Sequence, residues 1–516
     1  MVCTVCKRMC KRKLCAKSYS GEQDSIFFWS KETAIGDEVG YLFINKVMTM
    51  ACSFSSFCQF MTNSYKLIDP QSAPFCSAKT FLKWFFSWAA VSQDDFRNDV
   101  DPFCKHDPSM LACDGTHVGV SLRNLDINPM EAPEQAQEPI VTNHTRYDRT
   151  FITKSQDLPP AVVREARLYL KHHTSPEGFQ ISHTNAFDPD RIVLFSVLPE
   201  ESKPFVCGIL DKTYPDDVLS AGADVLNILS QDNPVSALLP LRCVQPVRDI
   251  CQTMLQGGSM VEDLRFCPEI SLLLRSAENL PDSHKREILF FVHNLCQFVN
   301  SIFENDPPPL PSSPIAGSYN PAKGYFYYFT PSGEQVRDVQ SYPKDERREG
   351  CQKVYPKVGK GGFCYVFLWF CPIHGHVYGA HLINGSEGRK DPFSSLFKFA
   401  PKAPNVIFYD FACSFNEYSL NREPSFFKNV LFFHDIFHQY NHVCAKTFRS
   451  KRIEGLSVNT SICEQFNSFL KSIKNTGSHL SQERFMFLLQ FMTRIWNARK
   501  TKLVEKSLAL VERVYQ

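Results

Sequence analysis

Two aspartates in this chain stand where a carboxylate is expensive to keep. The uncharged stretch from Asn405 to Tyr409 runs into Asp410, and Ser109-Met-Leu-Ala-Cys113 runs into Asp114, which is followed by Gly-Thr-His117. Apolar runs rich in β-branched and aromatic residues read as buried strands, and chemistry gathers at the C-terminal ends of parallel strands. An ionised carboxylate there needs a metal or a hydrogen-bond donor. A third acid, Glu464, opens a strongly periodic helical stretch. Each has an ordinary alternative. Asp114-Gly suits a turn after a strand, Asp410 could cap the next helix, and Ser461-x-x-Glu464 is the spacing of a capping box. Only the three acids taken together, in this order, favour a shared site.

Thiols and imidazoles offer a second kind of chemistry. His438, His442 and Cys444 fall close together, with Cys413 just past the Asp410 strand, and the four could hold zinc. Their spacing matches no standard finger, so hydrogen-bonded core residues are the alternative. Cys351 and Cys364 with Cys371-x-x-His374 make another possible zinc set, against a hairpin tip carrying unpaired thiols. The 20 cysteines are spread over 516 residues without the dense spacing of a disulfide scaffold, which favours reduced thiols and metal sites. The basic N-terminal stretch holding Cys3, Cys6, Cys10 and Cys15 supplies half a zinc site at best and reads as a tail over residues 1–25.

The elements that must position these residues follow from periodicity. Residues 26–120 form a helical lead-in and the Asp114 strand, with Phe81, Trp84, Phe85 and Trp88 at helical spacing as core. From 121 to about 345 the pattern is mainly helical: a stretch after Pro159-Pro160, then Asp249 to Leu255 and Arg286 to Phe303. It closes on a proline-rich linker from Asp306 to Pro314. Residues 346–516 return to β structure. Phe363 to Phe370 and Val377 to Ile383 suggest a hairpin, followed by a short helix from Asp391, the Asp410 strand, a strand from Val430 to Asp435, and helices beginning near Glu464 and Ser481. Leaving out the helical insertion, this is the element order of an α/β, RNase H-like fold.

Several motifs then carry a resemblance. Tyr409-Asp410-Phe-Ala-Cys413, Asn421-Arg-Glu-Pro424, Asp435-Ile-Phe-His438 and Asn459-Thr-Ser-Ile-Cys-Glu464 together resemble the catalytic region of the Kyakuja-Dileera-Zisupton group of cut-and-paste DNA transposases. Cys113-Asp114-Gly-Thr-His117 is similar to the first acidic motif of that group. The likeness spans about Phe81 to Val120 and Gly350 to Lys502. It implies a DDE core in which Asp114, Asp410 and Glu464 bind two Mg²⁺ or Mn²⁺ ions for phosphodiester hydrolysis and strand transfer, with Asp435 and His438 in support. A domesticated descendant that binds DNA or partners without cutting is the alternative. Either reading implies a nuclear protein, and the transposase reading implies DNA as its partner, with a homo-oligomer left open.

Net charge is neutral on this question, with 56 Lys and Arg against 54 Asp and Glu. Its distribution is not. From Tyr440 onward there are 13 Lys or Arg, 5 Glu and no Asp, a net of +8. Lys446, Arg449, Lys451 and Arg452 would suit a phosphate backbone, or form a solvated basic face. No apolar run approaches the roughly 18 residues of a membrane helix, and no leader pattern opens the chain, so an intracellular protein without membrane partners is expected. Gly359-Lys-Gly361-Gly lacks the third glycine of a kinase phosphate loop, and Asp410-Phe precedes His434-Asp435 where a kinase needs the reverse order.

Overall fold

A computed structural model describes residues 25–28, 34–92, 100–125, 200–230, 238–259, 264–303, 319–320, 324–329, 353–354, 363–384, 386–438, 448–450 and 458–515. The lead-in is helical: α1 (Asp37–Met50), α2 (Phe54–Ile68) and α3 (Ala78–Ser92). Phe81, Trp84, Phe85 and Trp88 fall on one stripe of α3 and are all buried. The Trp84 and Trp88 rings stack at 5.6 Å, and Phe81 lies on Trp84 at 5.5 Å. Phe43 of α1 holds this stripe to α2, with Phe54 at 4.6 Å and Phe85 at 5.0 Å. A buried indole also needs an acceptor. Trp84 Nε1 donates to the Phe27 carbonyl at 3.2 Å and Trp88 Nε1 to Asp37 Oδ1 at 3.0 Å.

The sheet begins with β1 (Met110–Ser121). Five helices follow in the described part of the insertion: α4 (Lys203–Leu210), α5 (Asp216–Ser230), α6 (Leu241–Leu255), α7 (Pro268–Ala277) and α8 (Asp282–Phe303). Then come β2 (Tyr319–Asn320), β3 (Tyr325–Tyr327), β4 (Phe363–Phe370) and β5 (Val377–Asn384). The chain closes with α9 (Lys390–Phe399), β6 (Val406–Phe408), α10 (Ala412–Arg422), β7 (Leu431–Phe433), α11 (Ile462–Leu470) and α12 (Gln482–Tyr515). The expected helix after Pro160 and the Asp306–Pro314 linker lie outside the described residues.

Seven strands form one mixed sheet in the order β7-β6-β1-β4-β5-β3-β2. β7, β6 and β1 run parallel, and the other pairings are antiparallel. The three-residue strands β6 and β7 are wholly apolar and wholly buried, as parallel strands covered on both faces must be. One boundary differs from the sequence reading. β2 and β3 lie before residue 345 yet pair onto the β5 edge, so the sheet resumes well ahead of the expected end of the insertion. Short aromatic strands next to a proline-rich stretch carry too little alternation to be told from loop.

β1 bends on a bulge between Thr116 and Gly119. There the backbone closes on β4 so tightly that a Cβ on Gly119 would lie 1.9 Å from the Cys364 carbonyl oxygen. Gly119→Ala should therefore lower stability by about 1–3 kcal/mol, read as a lower urea midpoint at unchanged m-value. An unaltered midpoint would mean that β1 and β4 do not approach as described.

Candidate active site

β6 pairs with β1 so that Phe408 lies beside Ala112. Two residues further along each chain stand Asp410 and Asp114. β6 ends at Phe408, and side-chain alternation carried two residues past it would set the Asp410 carboxylate on the same face as that of Asp114. Asp114 is buried within β1, paired with Leu368 of β4, and so is not a turn residue. Asp410 does not cap α10, whose N-cap is Phe411 with no side-chain cap bond. Ser461, the N-cap of α11, makes no side-chain cap bond either, so the capping box does not form. The ordinary roles open to the three acids in the sequence are not the roles they take.

Helix α11 brings the third acid. It buries Ile462, Cys463, Phe466 and Leu470, with Phe466 edge-on to Phe370 of β4 at 5.5 Å and to Trp496 of α12 at 5.2 Å. Asn467, one turn beyond Glu464, donates its amide to Asp114 Oδ2 at 2.9 Å. This bond ties α11 to the Asp114 strand and leaves Glu464 one turn away on an exposed part of the helix. Asn467 is a site residue that the sequence reading passed over. Its signal was the i+3 spacing from Glu464.

Past β7 the chain turns back over Asp410. His434, buried, bonds through Nδ1 to the Asp410 carbonyl at 2.9 Å. His438 Nδ1 lies 2.9 Å from Asp410 Oδ1 and 3.9 Å from Asp435 Oδ1. The contact with Asp410 raises the His438 imidazole above its ordinary value against the opposing effect of burial, and the charges of Asp410, Asp435 and Glu464 add to the rise. Asp435 is pushed up to about 6, first by burial, while the Phe437 N–H bonded to its carboxylate at 2.6 Å opposes the rise. The charges of Asp410, Asp435 and Glu464 thus favour the protonated form of His438.

The expected zinc set that joins Cys364 to Cys371 and His374 does not form as drawn. His442, Cys444 and Cys351 lie outside the described residues. Cys413 is half-buried in the first turn of α10, and His438 is engaged with Asp410. Cys364 sits at the start of β4 and donates its thiol to the Ile383 carbonyl at 3.0 Å. Cys371 is seven residues on, roughly 23 Å along an extended strand, so Cys364 cannot share an ion with it. Cys371 and His374 instead meet Asp101 and Cys104. Among the described residues this is the one group of three or more His, Cys, Asp or Glu whose donor atoms all lie within 4.8 Å of one another. The acids around Asp410 are spaced more widely, as like charges favour. Asp101 and Cys104 were missed although Asp101-Pro-Phe-Cys104 repeats the spacing of Cys371-Pro-Ile-His374.

Of the four basic residues expected to meet DNA, Lys446, Lys451 and Arg452 lie outside the described residues. Arg449 pairs its backbone in parallel with His434, which extends β7 by a single bridge beside Asp410. Among the described residues no helix is long and apolar enough to cross a membrane. No family model, curated protein or solved structure matches the chain.

The raised Asp435 carboxyl makes a pH prediction. Its folded value of about 6 exceeds the ordinary 3.8, so its contribution to stability is full below pH about 4 and is lost as pH rises through about 6. Asp435→Asn should remove that loss, raising stability relative to the wild type by at most about 3 kcal/mol at pH 8 and hardly at all at pH 4. Urea titrations of both proteins across this range decide it. A difference that does not change with pH would remove Asp435 as a titrating buried group.

Proposed function

We propose that the chain is a DDE-type DNA transposase, or a domesticated derivative of one, with an RNase H-like core interrupted by a mainly helical insertion after its first strand. One observation carries the reading: Asp114 lies on β1, Asp410 follows the end of its parallel neighbour β6, and Asn467 ties the helix of Glu464 to Asp114. The strand order supports it as well. Three antiparallel strands, β5-β4-β1, continue into two parallel ones, β6 and β7, with α9 and α10 in the crossovers and β2 and β3 added at the far edge. The resemblance of the motifs to Kyakuja-Dileera-Zisupton transposases points to the same three acids.

The donor set fits hard divalent cations. Asp114, Asp410 and Glu464 offer oxygen alone, and His438 lies 2.9 Å from Asp410 Oδ1. These three acids would hold Mg²⁺ or Mn²⁺, which when bound polarises a phosphodiester and activates a water or 3′-hydroxyl for in-line displacement. The chain's own residues set the conditions. Asn467 fixes the Asp114 carboxylate, His434 fixes the Asp410 backbone, and His438 meets the Asp410 carboxylate at 2.9 Å. Arg449 pairs its backbone with His434 beside Asp410, where a phosphate backbone would approach the acids.

A second reading rests on the same contacts. Asp114 and Asp410 already have protein partners in Asn467 and His438, which is what a site retained for folding and DNA binding would also need.

Cleavage of labelled duplex DNA, with candidate element ends included, separates the two. Asp410→Asn should leave binding intact and cut strand cleavage by about 10³-fold or more in Mg²⁺ or Mn²⁺. Arg449→Gln should weaken binding to all sequences and lower the salt slope by about 1. Wild-type protein that binds these substrates but never nicks them in either metal would move the chain to the non-enzymatic reading. If it does not bind DNA at all, the transposase reading and the DNA-binding alternative both fail.

A further inference from the structure

Two turns of the chain are built alike. Asp101-Pro-Phe-Cys104-Lys105 precedes β1, and Cys371-Pro-Ile-His374-Gly375 joins β4 to β5. In each the fifth residue donates its N–H to the carbonyl of the first, at 2.8 Å, and takes a positive φ, 53° at Lys105 and 77° at Gly375. A left-handed lysine is disfavoured by about 1–2 kcal/mol, so the first turn keeps a strained form that the second adopts freely through glycine. The two carbonyls that follow are each tied down, Lys105 O by the Tyr378 hydroxyl at 2.6 Å and Gly375 O by Trp496 Nε1 at 2.8 Å.

The paired turns aim four donor atoms at one point. His374 Nδ1 lies 3.0 Å from Asp101 Oδ2, 3.3 Å from Cys104 Sγ and 3.6 Å from Cys371 Sγ. One imidazole nitrogen has one proton or one lone pair to offer, so hydrogen bonding accounts for only one of these three approaches. A tetrahedral zinc with bonds of about 2.0–2.3 Å holds its ligand atoms roughly 3.3–3.8 Å apart; two of these three approaches fall in that range, the third is 0.3 Å shorter, and all four donor atoms lie within 4.8 Å of one another. The His374 N–H also donates to Cys371 Sγ at 3.3 Å, a bond that stabilises a thiolate. Asp101 and Cys371 are buried.

We propose that Asp101, Cys104, Cys371 and His374 form a structural zinc site. Four protein ligands close the coordination shell, so the ion clamps the two turns together and supplies no chemistry to a substrate; its binding releases the two thiol protons. What it clamps matters. The Pro372 carbonyl accepts the Asn459 N–H at 3.1 Å, just ahead of α11, and a Cβ on Gly375 would lie 3.1 Å from Ile462 of that helix. Zinc at the turns therefore steadies the seat of the Glu464 helix. The site does not depend on the chain's cutting DNA.

The test uses the full chain, purified without chelator. Metal analysis should find one more zinc per chain in the wild type than in the Cys104→Ser/Cys371→Ser double variant, with Cys52→Ser as an unchanged control. Replacement by Co²⁺ should give the wild type tetrahedral visible absorption with thiolate charge transfer, and His374→Cys should keep the ion and strengthen that charge transfer. Stripping the metal should speed amide exchange at Asn459 by about tenfold or more. Equal zinc in wild type and double variant overturns the site, as does recovery of a Cys104–Cys371 disulfide in metal-free folded protein. If the double variant does not fold, His374→Cys decides alone: folded protein with an unchanged cobalt spectrum removes His374 from the ligand set and the proposal with it.

Discussion

The register of β6 against β1 is the constraint on which the rest depends. Strand pairing has a period of two, so a slip of one residue would turn Asp410 to the face opposite Asp114 and end any cooperation between them. Several independent contacts hold that register. Tyr409 N–H bonds to the Phe433 carbonyl of β7 at 2.9 Å, the Tyr409 hydroxyl reaches the Gly388 carbonyl at 3.0 Å, and Asn405 N–H bonds to the Ser109 carbonyl at 2.8 Å just before both strands begin. With β6 and β7 apolar and buried along their whole length, slipping them would expose nothing useful and would orphan buried backbone groups.

Around this pair the remaining polar residues serve to keep charge in place. Asn467 answers Asp114 across to α11, and His438 answers Asp410 from the loop after β7. Further from the acids, Arg422 of the Asn421-Arg-Glu-Pro424 motif lies over the Tyr418 ring at 3.5 Å, and Arg389 over the same ring at 5.0 Å. That motif acts on the packing of α10 behind Asp410, not on the acids themselves. The lead-in helices join the same body through α12, where Phe85 meets Phe491 at 6.3 Å and Phe86 meets Phe487 at 5.7 Å.

The sequence made most of this legible where apolar periodicity was strong. The β4–β5 hairpin, the Asp410 and Asp114 strands, the aromatic stripe of α3 and the helix at Glu464 all follow from runs of side chains whose spacing admits one structure. Less was legible where the determinant was long-range. β2 and β3 are two and three residues long and gain their pairing only from the β5 edge. Cys371 and His374 looked for partners among cysteines nearby in sequence, but their partners are Asp101 and Cys104, brought across by the fold. An aspartate standing where a cysteine is usual hid the repeat of the turn. Asn467 was hidden for a different reason: a neutral amide has no charge pattern, and its i+3 spacing from Glu464 gains meaning through the bond to Asp114.

The central claim is that Asp114, Asp410 and Glu464 act as one site for divalent cations, and Mn²⁺ titration followed by paramagnetic resonance tests it without any DNA or assumption about substrate. Wild-type protein should remove free Mn²⁺ from solution saturably, while Asp114→Asn, Asp410→Asn and Glu464→Gln should each lose most of that binding although folding is kept. A double substitution should cost little more than the larger single loss, because groups that bind one ligand together are not additive. Binding that survives each single substitution, or losses that simply add, would mean that the three carboxylates do not share an ion.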